Sequence, residues 1–246
     1  MPQKPYFQEP ANRRINTNFQ KNYMYQHNSK LTTRSTLYLS LLVCSTWLTP
    51  ANANDAPSDL EQQQLEVAGL YVDLMKDMPK SVKLINSPFP QAHETYGVKG
   101  KIDQNSIIKG GKALRIKVGR GGKRSYSKGS SSKTIGDIKQ GDTLCLTFWA
   151  RSINRPEDNL IAEFASLGVQ QAGEPYRKLM DESTQLTHDW AQYSFKSIAS
   201  QSLATGQAEV FFHFGHLKQR FEIGPTYLFN LAQNVDPNFK SNACGK

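Results

Sequence analysis

Between Gly141 and Ala232 the chain alternates apolar and polar residues with a period of two. In Gly141-Asp-Thr-Leu-Cys-Leu-Thr-Phe-Trp-Ala-Arg151, residues Leu144, Leu146, Phe148 and Ala150 share one face. Cys145, Thr147, Trp149 and Arg151 share the other. Successive side chains of a strand point to opposite faces, so this pattern predicts an antiparallel strand with one face in the core. Ala113–Val118, Asn159–Ser166, Asp189–Phe195, Gln207–Phe214, Arg220–Ile223 and Thr226–Asn230 read as further strands, and Tyr176–Met180 as the start of another. Leu70–Met78 reads as a first strand or a short helix. Ser87–Pro90, with two prolines, reads as a turn or extended loop. Short strands separated by Gly, Asp and Asn predict an all-β fold, an antiparallel β-sandwich or jelly roll. Phe148, Phe212 and Phe214 are expected in its core.

The first 53 residues break this pattern. Arg34 precedes an apolar run, Leu37–Leu48, followed by Pro50 and Ala51-Asn-Ala53. A positive flank, a short apolar stretch and small residues before a cut site predict a secretory signal peptide cleaved near Ala53. The run is short for a bilayer span, so an integral membrane protein is not expected. Residues 1–33 are either an extended leader or the product of an upstream start codon. The expected organisation is a leader over 1–53, a lead-in with a first element over 54–90, a sandwich domain over 91–234 and a tail over 235–246. A secreted or periplasmic location follows. Such a location permits a Cys145–Cys244 disulfide, but two separate thiols fit the sequence equally well.

Charge is uneven along the chain. The leader carries +5 of the formal +9, from six Lys/Arg against Glu9. Residues 99–139 hold twelve Lys/Arg and only two acids, Asp103 and Asp137. The Gly/Ser-rich basic stretch Gly119–Lys133 reads as a long loop. A basic surface opposed to an acidic remainder attracts anionic partners to one side. An acidic polysaccharide fits export best and an anionic envelope lipid second. Nucleic acid is not expected, because export argues against it and no nucleic-acid-binding module is visible. The glycines of the loop lack the G-x-x-x-x-G-K-[ST] spacing of a phosphate loop.

The succession Lys112-Ala-Leu-Arg-Ile-Lys-Val118, Gly141–Arg151, Pro175-Tyr176, Leu186-Thr-His-Asp-Trp-Ala-Gln-Tyr193, Val210-Phe-Phe-His-Phe-Gly215 and Lys218-Gln-Arg-Phe-Glu-Ile-Gly-Pro225 resembles the jelly-roll carbohydrate-binding modules of families 4, 9 and 22. Such modules occur beside bacterial xylanases and related glycan-degrading enzymes. The resemblance spans roughly residues 95–232. It implies a galactose-binding-like sandwich, a polysaccharide or oligosaccharide ligand and no catalysis of its own. It also implies a structural calcium, with no ligand residues singled out and no other cofactor. Where related modules often carry a tryptophan after the Ala-Leu-Arg-Ile-Lys-Val strand, this chain has Tyr126 in a basic run.

Sugar recognition needs flat apolar faces and hydrogen-bonding groups off the core. Trp149, Tyr126 and Tyr176 are the stacking candidates, with Arg151, His213 and Gln219 as polar partners. Neighbouring strands are expected to bring Trp149, Arg151 and His213 onto one concave sheet. Each has a structural alternative: Trp149 under a loop, Arg151 paired to an acid, His213 satisfied in place. Trp190 is expected at the core edge beside Tyr193. For catalysis the chain offers no G-x-S-x-G elbow and no zinc-like Cys/His spacing. Glu163 and Glu222 are the carboxyl candidates for glycoside hydrolysis. A jelly-roll lyase acting on a uronate polymer is the enzymatic alternative, and an envelope structural or interaction protein the third reading.

Overall fold

The computed structural model describes residues 68–108, 110–155, 157, 161–233, 235–236 and 239–244. The expected leader, residues 1–53, lies outside them. Among the described residues no helix is long and apolar enough to cross a membrane.

Residues 68–75 form a helix, α1. Eleven strands follow among the described residues. They are β1 (Lys83–Leu84), β2 (Glu94–Tyr96), β3 (Gly100–Asp103), β4 (Ala113–Val118), β5 (Gly129–Lys133), β6 (Thr143–Ser152), β7 (Ala162–Gln171), β8 (Lys178–Leu186), β9 (Ala191–Ile198), β10 (Ala208–His213) and β11 (Gln219–Asn230). Two antiparallel sheets form a sandwich. Sheet I runs β3-β4-β11-β6-β9, with β1 also paired to β11. Sheet II runs β2-β5-β10-β7-β8. The neighbours are mostly not consecutive in the chain, as in a jelly roll.

The alternating faces of β4 and β6 land as their pattern predicts. Leu114, Ile116, Leu144, Leu146, Phe148 and Ala150 are buried between the sheets. An aromatic knot joins the layers: Phe148 meets Phe212 edge-on at 4.9 Å, and Phe164 meets Phe221 edge-on at 5.1 Å. Such pairs add about 0.5–1.5 kcal/mol beyond the area they bury.

Three elements differ from the sequence expectation. The segments 220–223 and 226–230 form one strand, β11, continuous through an irregularity between Ile223 and Thr226. Two residues there, Gly224 and Pro225, oppose Trp149 alone on β6, and Pro225 has no N–H to donate. Bulging lets Ile223 and Thr226 both face the positions of Ala150 and Phe148. The basic loop 119–133 ends in a strand, because Gly129–Lys133 is β5, hydrogen-bonded between β2 and β10. Its inward Ser130 and Ser132 are buried despite their polarity. Trp190 lies not at the core edge but under Arg151, whose guanidinium carbon is 5.1 Å from the indole centroid.

The outer face of sheet I is covered. Tyr227 and Phe229 of β11 pack with Leu70 and Leu74 of α1 and with Leu231, Ala243 and Cys244. Cys145 of β6 is disulfide-bonded to Cys244, which closes the alternative of two separate thiols. The outer face of sheet II has a different character, and the site lies there.

Candidate functional site

Strand register sets the floor of a cleft on sheet II. One row across the strands reads Gly168, Phe211, Ser131, Glu94. The next reads Ser166, His213, Gly129, Tyr96. A third reads Gln170, Glu209, Lys133. The parity that buries Val210 and Phe212 therefore turns Glu209, Phe211 and His213 outward. Phe211 is nonetheless fully covered: the Lys178 ammonium lies 4.2 Å from its centroid and the His213 ring 4.6 Å.

Walls rise at the edges of this floor. The 3-10 turn Ser125–Ser127 presents Tyr126, whose ring stands edge-on to His213 at 6.4 Å. Tyr96, at the end of β2, meets His213 from its own side, also at 6.4 Å. The β7–β8 loop contributes Tyr176, which holds a left-handed backbone with φ 54°. That conformation costs a residue with a β-carbon about 1–2 kcal/mol. Strain of this kind at an exposed aromatic is a common mark of a functional loop. Tyr126 is 54% exposed, Tyr176 51% and Tyr96 38%, so all three rings keep a free surface. The cleft is open to solvent and has a volume of about 910 Å³, toward the upper end of the ~300–1,000 Å³ typical of ligand pockets.

Polar groups between the rings are already oriented. Ser166 donates to Asp181 at 2.6 Å and also contacts the Lys178 ammonium, which bonds Asp181 at 2.9 Å. Gln170 donates to Glu209 at 2.8 Å. Burial, reinforced by the Lys178 charge and opposed by Asp181, lowers the His213 imidazole to about 4. His213 is thus neutral at pH 7 and can donate from one nitrogen and accept at the other. Burial, with the charges of Glu209 and Tyr176 adding to it, pushes the Tyr96 phenol above its usual range, so it keeps its proton and remains a donor. The cleft thus combines exposed rings with fixed donors and acceptors, and among the carboxylates lining it each has a hydrogen-bonding partner.

Of the residues singled out from sequence, Tyr126, Tyr176 and His213 come together here. Trp149 and Arg151 do not. Their strand, β6, belongs to sheet I while β10 belongs to sheet II, so the expected shared concave face is overturned. Trp149 packs edge-on against Tyr227 at 6.1 Å within the cluster that covers sheet I. Arg151 holds the fully buried Glu222 at 2.8 Å, and Arg115 holds the same carboxylate from the other side. Gln219 is buried: its amide donates to the Phe214 carbonyl at 2.9 Å and accepts from the Glu163 N–H at 2.8 Å. Glu163 contacts His216 and lies in sheet II, away from Glu222 in sheet I, so the two carboxyl candidates do not face one another across a site.

Tyr96, Ser166, Gln170, Lys178, Asp181 and Glu209 also line the cleft and had not been singled out. Their signal was present for Glu209, which shares strand parity with His213. For the calcium that the resemblance implies, the described residues bring no three His, Cys, Asp or Glu side chains together, so they offer no acidic cluster that fits it.

No protein-family model matches the chain, and no curated protein does. Among solved structures it is similar to the second N-terminal cellulose-binding domain of Cellulomonas fimi β-1,4-glucanase C. The identity is 18% and the TM-score 0.47, over 65% of this chain and 99% of that one. It is also similar to the CBM22-1 xylan-binding domain of Paenibacillus barcinonensis Xyn10C, at 11% identity and TM-score 0.45, over 63% and 99%. A CBM4 module matches at 21% identity and TM-score 0.42, over 62% and 96%. These are likenesses of overall fold.

Proposed function

We propose that the sheet II cleft binds a polysaccharide or oligosaccharide chain without altering it. The carrying observation is the set of three exposed tyrosines, Tyr96, Tyr126 and Tyr176, around a floor of pre-bonded polar groups. A sugar ring offers C–H faces to stack on aromatics and hydroxyls that need donors and acceptors together. Paired groups such as Ser166–Lys178–Asp181 and Gln170–Glu209 supply both in fixed geometry, which lowers the ordering cost of binding. Their mutual engagement suits recognition better than proton transfer, and Tyr96, with its raised phenol, is poorly suited to act as a base at neutral pH.

Export is part of the same proposal. The Leu37–Leu48 run and the Ala51-Asn-Ala53 site support secretion or a periplasmic location, and the Cys145–Cys244 disulfide fits an oxidising compartment. Titration calorimetry with neutral xylan and glucan oligosaccharides tests the binding. The wild-type chain is expected to bind, and a Tyr126→Ala/Tyr176→Ala variant to lose about tenfold or more in affinity, a change of about 1.4 kcal/mol. Equal affinity of the two proteins would overturn the cleft assignment.

A further inference from the structure

Beside the cleft, Gly119–Lys128 carries Arg120, Lys123, Arg124 and Lys128 with no acidic residue. Its backbone is pinned to the β10–β11 turn. Gly122 N–H donates to the Gly215 carbonyl at 2.8 Å, Gly215 N–H to Ser125 at 2.7 Å and Phe214 N–H to Lys128 at 3.1 Å. A β-carbon on Gly121 would stand 2.2 Å from the His216 carbonyl oxygen, so only glycine allows this approach. Within the loop, the Lys128 ammonium donates to the Arg120 carbonyl at 3.1 Å. The cations are therefore presented on a fixed arm rather than on a loose solvated loop.

That arm is continuous with the cleft. Arg124 caps the turn that carries Tyr126, and its guanidinium carbon lies 5.7 Å from the Tyr126 centroid. Arg120, Lys123 and Arg124 are exposed, and none of them forms an ion pair among the described residues. Lys133, at the far end of β5, lines the cleft itself. Unpaired, exposed cations next to a stacking ring are suited to an anionic substituent of a sugar lying on that ring. A guanidinium matches the two oxygens of a carboxylate or sulfate in a bidentate fork.

Building on the carbohydrate reading above, we infer that the Arg120–Lys128 arm selects glycans bearing carboxylate or sulfate groups, engaged beyond Tyr126. A continuous polyphosphate fits less well, because Asp181 and Glu209 would repel its charges along the cleft floor. A glycan with acidic groups on some positions can turn neutral hydroxyls toward those two carboxylates.

The test compares a neutral xylohexaose, a hexagalacturonate, a sulfated hexasaccharide and a short DNA duplex. Each is titrated into the full chain and into an Arg120→Glu/Lys123→Glu variant, at low salt and at about 0.15 M salt, where exposed charges are screened beyond ~8 Å. The expected result is at least tenfold tighter binding of one or both acidic hexamers than of xylohexaose at low salt. The variant should lose that preference and keep its affinity for xylohexaose. Preference for the uronate or for the sulfated sugar identifies which anion the arm takes. Equal binding of neutral and acidic hexamers, unchanged in the variant, would overturn this inference and leave the cleft reading standing. Acidic-sugar binding that survives Tyr126→Ala/Tyr176→Ala would overturn the cleft reading and, with it, an arm serving the cleft. DNA bound as tightly as the acidic hexamers would make the arm a general polyanion surface and sink the claim of glycan selection.

Discussion

Gly129 lies directly across the sheet from Tyr96, and a β-carbon there would sit 2.2 Å from the phenol oxygen. The bare glycine is what lets the Tyr96 ring lie across β5 and close one end of the cleft. Strand glycine is unfavourable in itself, since it packs nothing and loses more backbone entropy than any other residue. Gly129→Ala should therefore push Tyr96 off its seat and weaken glycan binding as much as Tyr96→Ala does. It should also destabilise the fold by about 1–3 kcal/mol, the usual range for overpacking. Calorimetric titration and urea unfolding of the two variants check both effects.

A second expectation concerns the residues that the sequence pointed to and the fold placed elsewhere. Trp149→Ala and Arg151→Ala should leave glycan affinity unchanged, because both side chains belong to the outer layer of sheet I. They should cost stability instead. Arg151→Ala leaves the fully buried Glu222 with Arg115 as its ion-pair partner, and removing part of a buried charge pair costs up to about 3–5 kcal/mol. Unfolding midpoints read beside affinities separate the two roles.

How much of this was legible follows from range along the chain. The alternation in β4 and β6 is local; it marked Ala113–Val118 as a strand and put Leu146 and Phe148 on the core face, where both are buried. Likewise the position of His213 between Phe212 and Phe214 set its outward direction. Which sheet each strand joins is a non-local matter, and the jelly-roll order puts β6 and β10 in different sheets. No periodicity encodes that, so Trp149 and His213 could be placed on correct faces and still be wrongly joined. The strand β5 was hidden for another reason. Gly-Ser-Ser-Ser-Lys has no apolar residue, and it is a strand because β2 and β10 supply its hydrogen bonds. Gln219 was misjudged as a surface group because its partners, Phe214 and Glu163, come from the adjoining turn and from β7.

The Cys145–Cys244 link spans 99 residues and holds the C-terminal segment against Tyr227 and Phe229. Cross-linking so long a loop restricts the unfolded chain, so Cys244→Ser should lower stability by about 2–4 kcal/mol. Glycan affinity should not change, since the cleft lies on the outer face of the other sheet. Thermal unfolding and a glycan titration on the same variant check both statements.

Two buried histidines make the fold acid-sensitive. Burial lowers both His93 and His213 from 6.5 to about 4, with the Lys178 charge contributing at His213. Above 6.5 both are neutral, folded or unfolded, and no stability depends on them. As the pH falls from 6.5 toward 4, the unfolded chain takes up protons that the folded chain refuses, and stability declines, by on the order of 3 kcal/mol for the wholly buried His93 and by less for His213, which borders the solvent of the cleft. Neither ring nitrogen of His93 has a hydrogen-bond partner among the described residues, and its ring packs 5.6 Å from Phe212. His93→Phe should accordingly keep or raise stability at neutral pH and flatten its fall on acidification. Urea midpoints at about pH 7 and about pH 5 for both proteins check this.

Backbone-amide chemical-shift mapping during titration with a neutral hexasaccharide tests the central claim most directly, because it reports where the sugar sits. Perturbations should concentrate on Tyr96, Tyr126, Gln170, Tyr176 and His213, across β2, β5, β10 and β7 and their adjoining loops. Shifts centred instead on Trp149, Arg151 and Trp190, or no shifts at saturating sugar, would contradict a carbohydrate-binding cleft on sheet II.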